Sequence, residues 1–141
     1  MDTFRVDPAF EAGSAALGRL VLSEVRLQLD ARYPWLILIP ARAGLVELVD
    51  LSADERGQLF DEIARADAAV RAMGAALQRP VQKMNVGALG NITRQLHVHV
   101  VGRRADDPAW PGPVWGVGTA IAYTPAERAA IEAAARRVLF S

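Results

Sequence analysis

The sequence predicts an α+β fold: a mainly antiparallel sheet of about five strands with one long helix and one C-terminal helix. Three observations carry this expectation. Strand-like runs come in groups, each group is followed by a helix with a capping signature, and the links between strands are too short for a doubly wound parallel sheet. With 141 residues, the chain reads as one domain spanning 1–141, large enough to bury a core without disulfides or a structural metal.

Taken in order, Asp7-Pro8, residues 9–12 and Gly13 form a single helical turn, with an acidic cap, a proline at the first helical position and a glycine stop. It is expected to be a leader outside the core. Residues 20–23 and 25–29 look like two short strands, and Trp35–Pro40 is a nearly continuous apolar run ended by proline, as in a strand buried on both faces. Ser52-Ala53-Asp54-Glu55 has capping-box spacing. Leu59, Phe60, Ile63, Val70, Met73 and Leu77 follow at helical intervals, giving a long amphipathic helix that ends before Pro80.

Residues 81–86 and 95–102 read as a strand pair joined by Gly87-Ala88-Leu89-Gly90-Asn91, whose glycines permit a turn or a close backbone approach to a ligand. The segment 103–120 carries proline, glycine, Trp110 and Trp115, and is too aromatic for a solvated linker. It is expected to pack over something. A second capping box, Thr124-Pro125-Ala126-Glu127, starts the last helix, with Ile131, Ala134, Ala135, Val138 and Leu139 as its apolar stripe.

Composition removes several function classes. The 16 basic and 16 acidic residues balance, so there is no electrostatic footprint for a long nucleic acid. Zero cysteines exclude disulfides, thiolate nucleophiles and cysteine-based zinc sites, which leaves histidine as the obvious nucleophile or metal ligand. Residues 1–7 lack the basic and apolar regions of a signal peptide and no apolar run is long enough to span a bilayer, so a soluble cytoplasmic protein without membrane contact is the expectation.

The only two histidines lie in Gln95-Leu96-His97-Val98-His99-Val100-Val101. At strand spacing Gln95, His97 and His99 share one face, while Leu96, Val98 and Val100 point to the other. Polar residues are ordinary on the wet face of a half-buried strand. Against that plain reading stand the pairing of both histidines, the glutamine that extends the row, and the glycine-rich turn flanked by Asn85 and Asn91, whose N–H groups suit phosphate oxygens. Two imidazoles on one strand face could also chelate a metal, but no third ligand stands at a recognised spacing, so no metal site is assigned.

This stretch resembles the signature of the histidine triad superfamily, in which three histidines alternate with apolar residues; the first is glutamine here. The similarity extends over most of the chain, from Asp30 before the Trp35–Pro40 run, through the long helix, Asn85, the glycine-bearing turn and the histidine strand, to the tryptophan-containing segment after it.

The resemblance implies a protein that binds a nucleoside phosphate or dinucleoside polyphosphate and cleaves or transfers at the α-phosphorus through a covalent nucleotidyl-histidine. His97 holds the nucleophile's place. His99 would donate hydrogen bonds to phosphate, and Gln95, the third catalytic candidate, can position an amide but cannot shuttle a proton. Some members carry a further histidine on the strand that here begins with Trp35. Asp30 stands where relatives bind ribose hydroxyls, or else caps the turn before Tyr33-Pro34. Asn85, or Asn91 in its stead, would meet phosphate. Trp110 and Trp115 would either lid a base or patch the sheet, Trp110 being the candidate contact. Arg94, Arg103 and Arg104 are left outside the site.

A homodimer is implied, no cofactor is required, and a divalent cation could accompany a polyphosphate. The competing function is a nucleotide-binding module with weak or no catalysis.

Overall fold

The computed structural model describes residues 3–141, so Met1 and Asp2 of the amino-terminal stretch lie outside the described residues. Five strands form one sheet: β1 (Ser14–Arg19), β2 (Ser23–Gln28), β3 (Trp35–Pro40), β4 (Lys83–Gly87) and β5 (Val98–Arg103). Their spatial order is β1-β2-β3-β5-β4, and every neighbouring pair is antiparallel. Helices α1 (Ala53–Ala76) and α2 (Pro125–Leu139) pack together and against the sheet.

The α+β expectation is met, and the reason β3 reads as continuously apolar is visible in its two faces. Leu36 and Leu38 join Val98 and Val100 of β5 in the cluster that includes α1 and α2 residues. Trp35, Ile37 and Ile39 join Val101 in a second cluster with Phe10, Tyr33 and Val114. Both faces are therefore dry, and each fully buried leucine or isoleucine contributes about 2 kcal/mol of transfer free energy.

Both capping boxes close as their spacing requires. The Ser52 and Thr124 hydroxyls accept from the Glu55 and Glu127 amides, while those glutamates accept from the amides of Ser52 and Thr124.

The first strand is where the sequence expectation is corrected. Residues 20–22 are not a strand but the turn between β1 and β2, Ser23 already opening β2, and the turn is closed by the Leu20 amide donating to the Ser23 carbonyl at 2.8 Å. The true first strand, Ser-Ala-Ala-Leu-Gly-Arg, is built of small residues with little β-propensity. Tertiary packing fixes it instead: a Cβ at Gly18 would lie 2.6 Å from the Phe140 ring that follows α2.

Glu62 of α1 holds the same turn from the other side, its two carboxylate oxygens accepting from the Leu22 and Ser23 amides at 2.8 and 3.0 Å. The helix thereby supplies acceptors to donors that the hairpin cannot satisfy itself.

The leader turn Pro8–Ala12 forms with Asp7 as its cap, yet it is not outside the core. Phe10 is buried in the second cluster and carries the segment onto the face of the sheet opposite the helices. β5 begins at Val98 rather than Gln95, because the Leu96 amide bonds the Leu45 carbonyl instead of a neighbouring strand.

Replacing Glu62 strands two buried N–H groups. Glu62→Ala is expected to lower the unfolding free energy by about 2 kcal/mol, measured by urea denaturation, with Glu62→Gln losing less because one carbonyl acceptor remains.

Candidate functional site

β5 lies between β3 and β4, and its alternation sets His97, His99, Val101 and Arg103 on the face away from the helices. The two imidazole rings meet edge to face, their centroids 4.8 Å apart and their planes at 78°. This is no wet strand face: His97 and His99 are only 7% and 9% exposed. Phe10 covers His97 at 4.8 Å between ring centroids, and Trp35 and Trp115 enclose His99 at 5.5 and 5.3 Å.

Hydrogen bonds assign the protons. His97 Nδ1 lies 2.7 Å from the Gln95 carbonyl oxygen, and a carbonyl only accepts; Nδ1 therefore carries the hydrogen and the neutral ring keeps its lone pair on Nε2. The Trp35 indole Nε1–H donates to His99 Nδ1 at 3.0 Å, and an indole only donates; neutral His99 therefore carries its hydrogen on Nε2. The same ring atom thus has opposite roles in the two histidines. Burial, with a smaller electrostatic contribution from the neighbouring His97, pushes the His99 pKa down to about 4, so His99 is neutral at physiological pH.

Two cavities flank His97. One, of about 140 Å³, is bounded by Gln95, Leu96, the 46–49 segment and the 88–90 turn. The other, of about 250 Å³, is lined by His97, His99, Trp115 and residues 89–93. Their walls are largely apolar, with few polar groups converging on the histidines.

The candidate residues separate into those this face gathers and those it does not. Asn91 lines the larger cavity. Asn85 sits on β4 opposite Val101, on the histidine face, and its Oδ1 accepts from Arg103 Nη1 at 2.7 Å. That bond orients the amide, leaving Nδ2 as the donor free to meet a ligand.

Asp30 lies elsewhere. It is buried beneath its own turn, accepting from the Arg32 amide at 3.1 Å and from Arg32 Nε and Nη2 at 3.0 and 2.9 Å. Of the two roles considered for Asp30, turn capping is the geometry present. Arg32 Nη1 reaches on to the Val117 carbonyl at 2.6 Å and ties down the end of the tryptophan-bearing segment.

Trp110 borders neither histidine cavity. Its amide bonds Asp107 and its ring lies over the Arg103 guanidinium at 5.7 Å. Trp115 is the tryptophan beside the histidines, admitted by Gly87, where a Cβ would come within 3.3 Å of the indole.

Gln95 positions its amide on a neighbouring segment. Its side chain turns to the N-terminal segment, Oε1 accepting from the Asp7 amide at 2.8 Å and Nε2 donating to the Arg5 carbonyl at 2.7 Å.

Sequence reading missed Phe10, the Trp35–His99 bond and Arg103. Arg103 is 1% exposed, bidentate to Asp107 at 2.8 and 3.0 Å, and it holds Asn85. Its parity with His97 and His99 was the available signal. The partners of Trp35 needed the β3–β5 register, which places Ile37 opposite His99.

Alternating imidazoles on a central strand of a five-stranded antiparallel sheet, enclosed by aromatic rings, define a histidine-strand domain. The HIT domain model matches residues 9–106, and the chain belongs to that family. A histidine triad protein from Bradyrhizobium japonicum is 37% identical, with 99% of this chain and 100% of that one covered and a TM-score of 0.89. One from Sinorhizobium meliloti is 41% identical over 97% of this chain and 98% of that one, with a TM-score of 0.87. A third, from Marinobacter aquaeolei, is 34% identical over 98% and 97%, also at 0.87. No curated protein matches the chain.

The buried, neutral state of His99 has a measurable signature. Its folded pKa lies below the unfolded value near 6.5, so its contribution to stability is complete above that pH and is lost as pH falls through about 4. In an NMR titration followed on the ring nitrogens, His99 is expected to keep the Nε2–H form until close to pH 4. A midpoint near 6.5 would contradict the enclosure described.

Proposed function

We propose that the protein is a nucleotidyl hydrolase or transferase whose His97 Nε2 attacks the α-phosphorus of a nucleoside phosphate. The single observation that carries this reading is the His97 Nδ1–H bond to the Gln95 carbonyl, which leaves the Nε2 lone pair available for attack. Membership of the HIT family supports the class of reaction.

In the first step the Nε2–P bond forms while the P–O or P–N bond to the leaving group breaks, and the leaving group departs with the bonding pair. The ring becomes cationic, and the Gln95 carbonyl, already bonded to Nδ1–H, stabilises that charge without moving. In the second step water, or another acceptor, attacks phosphorus and the Nε2–P bond breaks, returning the lone pair to His97; the proton that the attacking hydroxyl sheds, like the one the leaving group takes up, is exchanged with solvent.

His99 serves this reaction as a donor. A neutral imidazole whose Nδ1 is occupied by Trp35 offers Nε2–H to a phosphate oxygen beside His97. The free Nδ2 of Asn85, held by Arg103, and the amide of Asn91 are further phosphate donors in this reading. Trp115 and the apolar 89–92 turn would exclude water from the reacting atoms. Any divalent cation would arrive with a polyphosphate substrate, and no step here runs through it.

Incubation with a panel of nucleoside phosphoramidates and dinucleoside polyphosphates is expected to give an acid-labile nucleotidyl adduct on His97, located by mass spectrometry. His97→Ala is expected to abolish the adduct and lower turnover by roughly a thousandfold or more. Undiminished turnover in that variant sinks the mechanism, and tight nucleoside monophosphate binding with neither adduct nor turnover would identify a binding module.

A further inference from the structure

We propose that Gln95 is a positioning residue whose side chain clamps the N-terminal segment across the histidine face and so keeps the Phe10 ring against His97. The inference rests on His97 as the nucleophile and adds how that ring is held.

Both ends of the Gln95 amide are committed to main chain some ninety residues away in sequence. Oε1 takes the Asp7 N–H and one Nε2 hydrogen goes to the Arg5 carbonyl, so the amide bridges two main-chain groups of the N-terminal segment. What the clamp holds is a strap. Phe4, Val6 and Phe10 pack into the second core cluster, Asp7 caps the following turn through the Ala9 amide, and the strap ends with the Phe10 ring edge-on to His97.

His97 is thus fixed twice by one residue: through the Gln95 carbonyl on Nδ1 and through the aromatic ring that the Gln95 side chain keeps in place. Loss of this support would leave an exposed and rotating imidazole, costing attack geometry rather than substrate affinity.

The choice of glutamine has a chemical reason. An amide keeps one donor and one acceptor at every pH, matching the Arg5 carbonyl and the Asp7 N–H. A neutral imidazole could offer the same pair, but a protonated one has two donors and would set N–H against N–H at Asp7. The titratable groups around the position are Asp7 on the strap, Glu47 across the smaller cavity and His97 beyond it, with Arg5 and Arg94 as neighbouring fixed charges.

The test uses the full chain as wild type, Gln95→Ala and Gln95→His, with adenosine 5′-phosphoramidate as probe, following His97 labelling, kcat, KM and amide exchange at Asp7. Gln95→Ala is expected to exchange the Asp7 amide at least about tenfold faster and to lose about tenfold in kcat with KM little changed. Gln95→His is expected to match wild type at pH 8, where a folded chain is kept, and to lose kcat below about pH 6.5 along a limb absent from wild type.

Asp7, Glu47 and the native histidines are common to both proteins, so a limb confined to Gln95→His belongs to the introduced ring. Unchanged Asp7 exchange in Gln95→Ala, a loss confined to KM, or superimposable pH profiles would each overturn the clamp. A wild-type protein that never labels at His97 overturns the nucleophile reading itself, whereas a labelled wild type with an unaltered Gln95→Ala overturns only the positioning role.

Discussion

The site depends on two Nδ1 atoms bonded in opposite senses. One donates to a carbonyl and the other accepts from an indole, and each partner has only one hydrogen-bonding role to offer, so neither ring can change tautomer without breaking a buried bond. In water a neutral imidazole samples both tautomers. Here packing removes that freedom, and two chemically identical side chains become different reagents.

The rest of the architecture can be understood as support for that distinction. The β3–β5 pairing brings Trp35 to the histidine face, and β4 brings Asn85 beside it. Further out, Asp30 and Arg32 anchor the segment that carries Trp115, while Arg103 and Asp107 form a buried pair under Trp110. Neither ion pair includes a histidine. A buried pair is expensive to desolvate and weak evidence for stability, but breaking it would leave an uncompensated charge, which favours one arrangement of the loop over others. The apolar core below the sheet, by contrast, has no role in setting protons and serves as the rigid base.

Local patterns made much of this legible. Two capping boxes and a proline-ended apolar run each encode their structure within a few residues and formed as read, while the alternation of the histidine segment holds from His97 onward although the strand itself begins at Val98. What escaped were features decided at long range. β1 has no strand-like composition and exists because β2 pairs with it and Phe140 packs on it, while the apolar residues 20–22 turn, with Glu62 holding the Leu22 and Ser23 amides. The site divides the same way. His97 and His99 were readable from spacing, but the exchange of Trp110 for Trp115, the pairing of Asp30 with Arg32 and the turning of Gln95 to main-chain partners required register and loop packing that no local pattern contains.

The strap gives the domain an unusual freedom to vary. Gln95 recognises it only through a carbonyl and an amide hydrogen, atoms that nearly every residue type provides. Position 5 can therefore drift to any residue without losing its acceptor, and position 7 to any but proline without losing its donor. Both positions precede residue 9, where the match to the HIT domain begins. A segment that packs against His97 can thus vary in sequence without losing the bonds that hold it, which hides part of its role from any comparison made residue by residue.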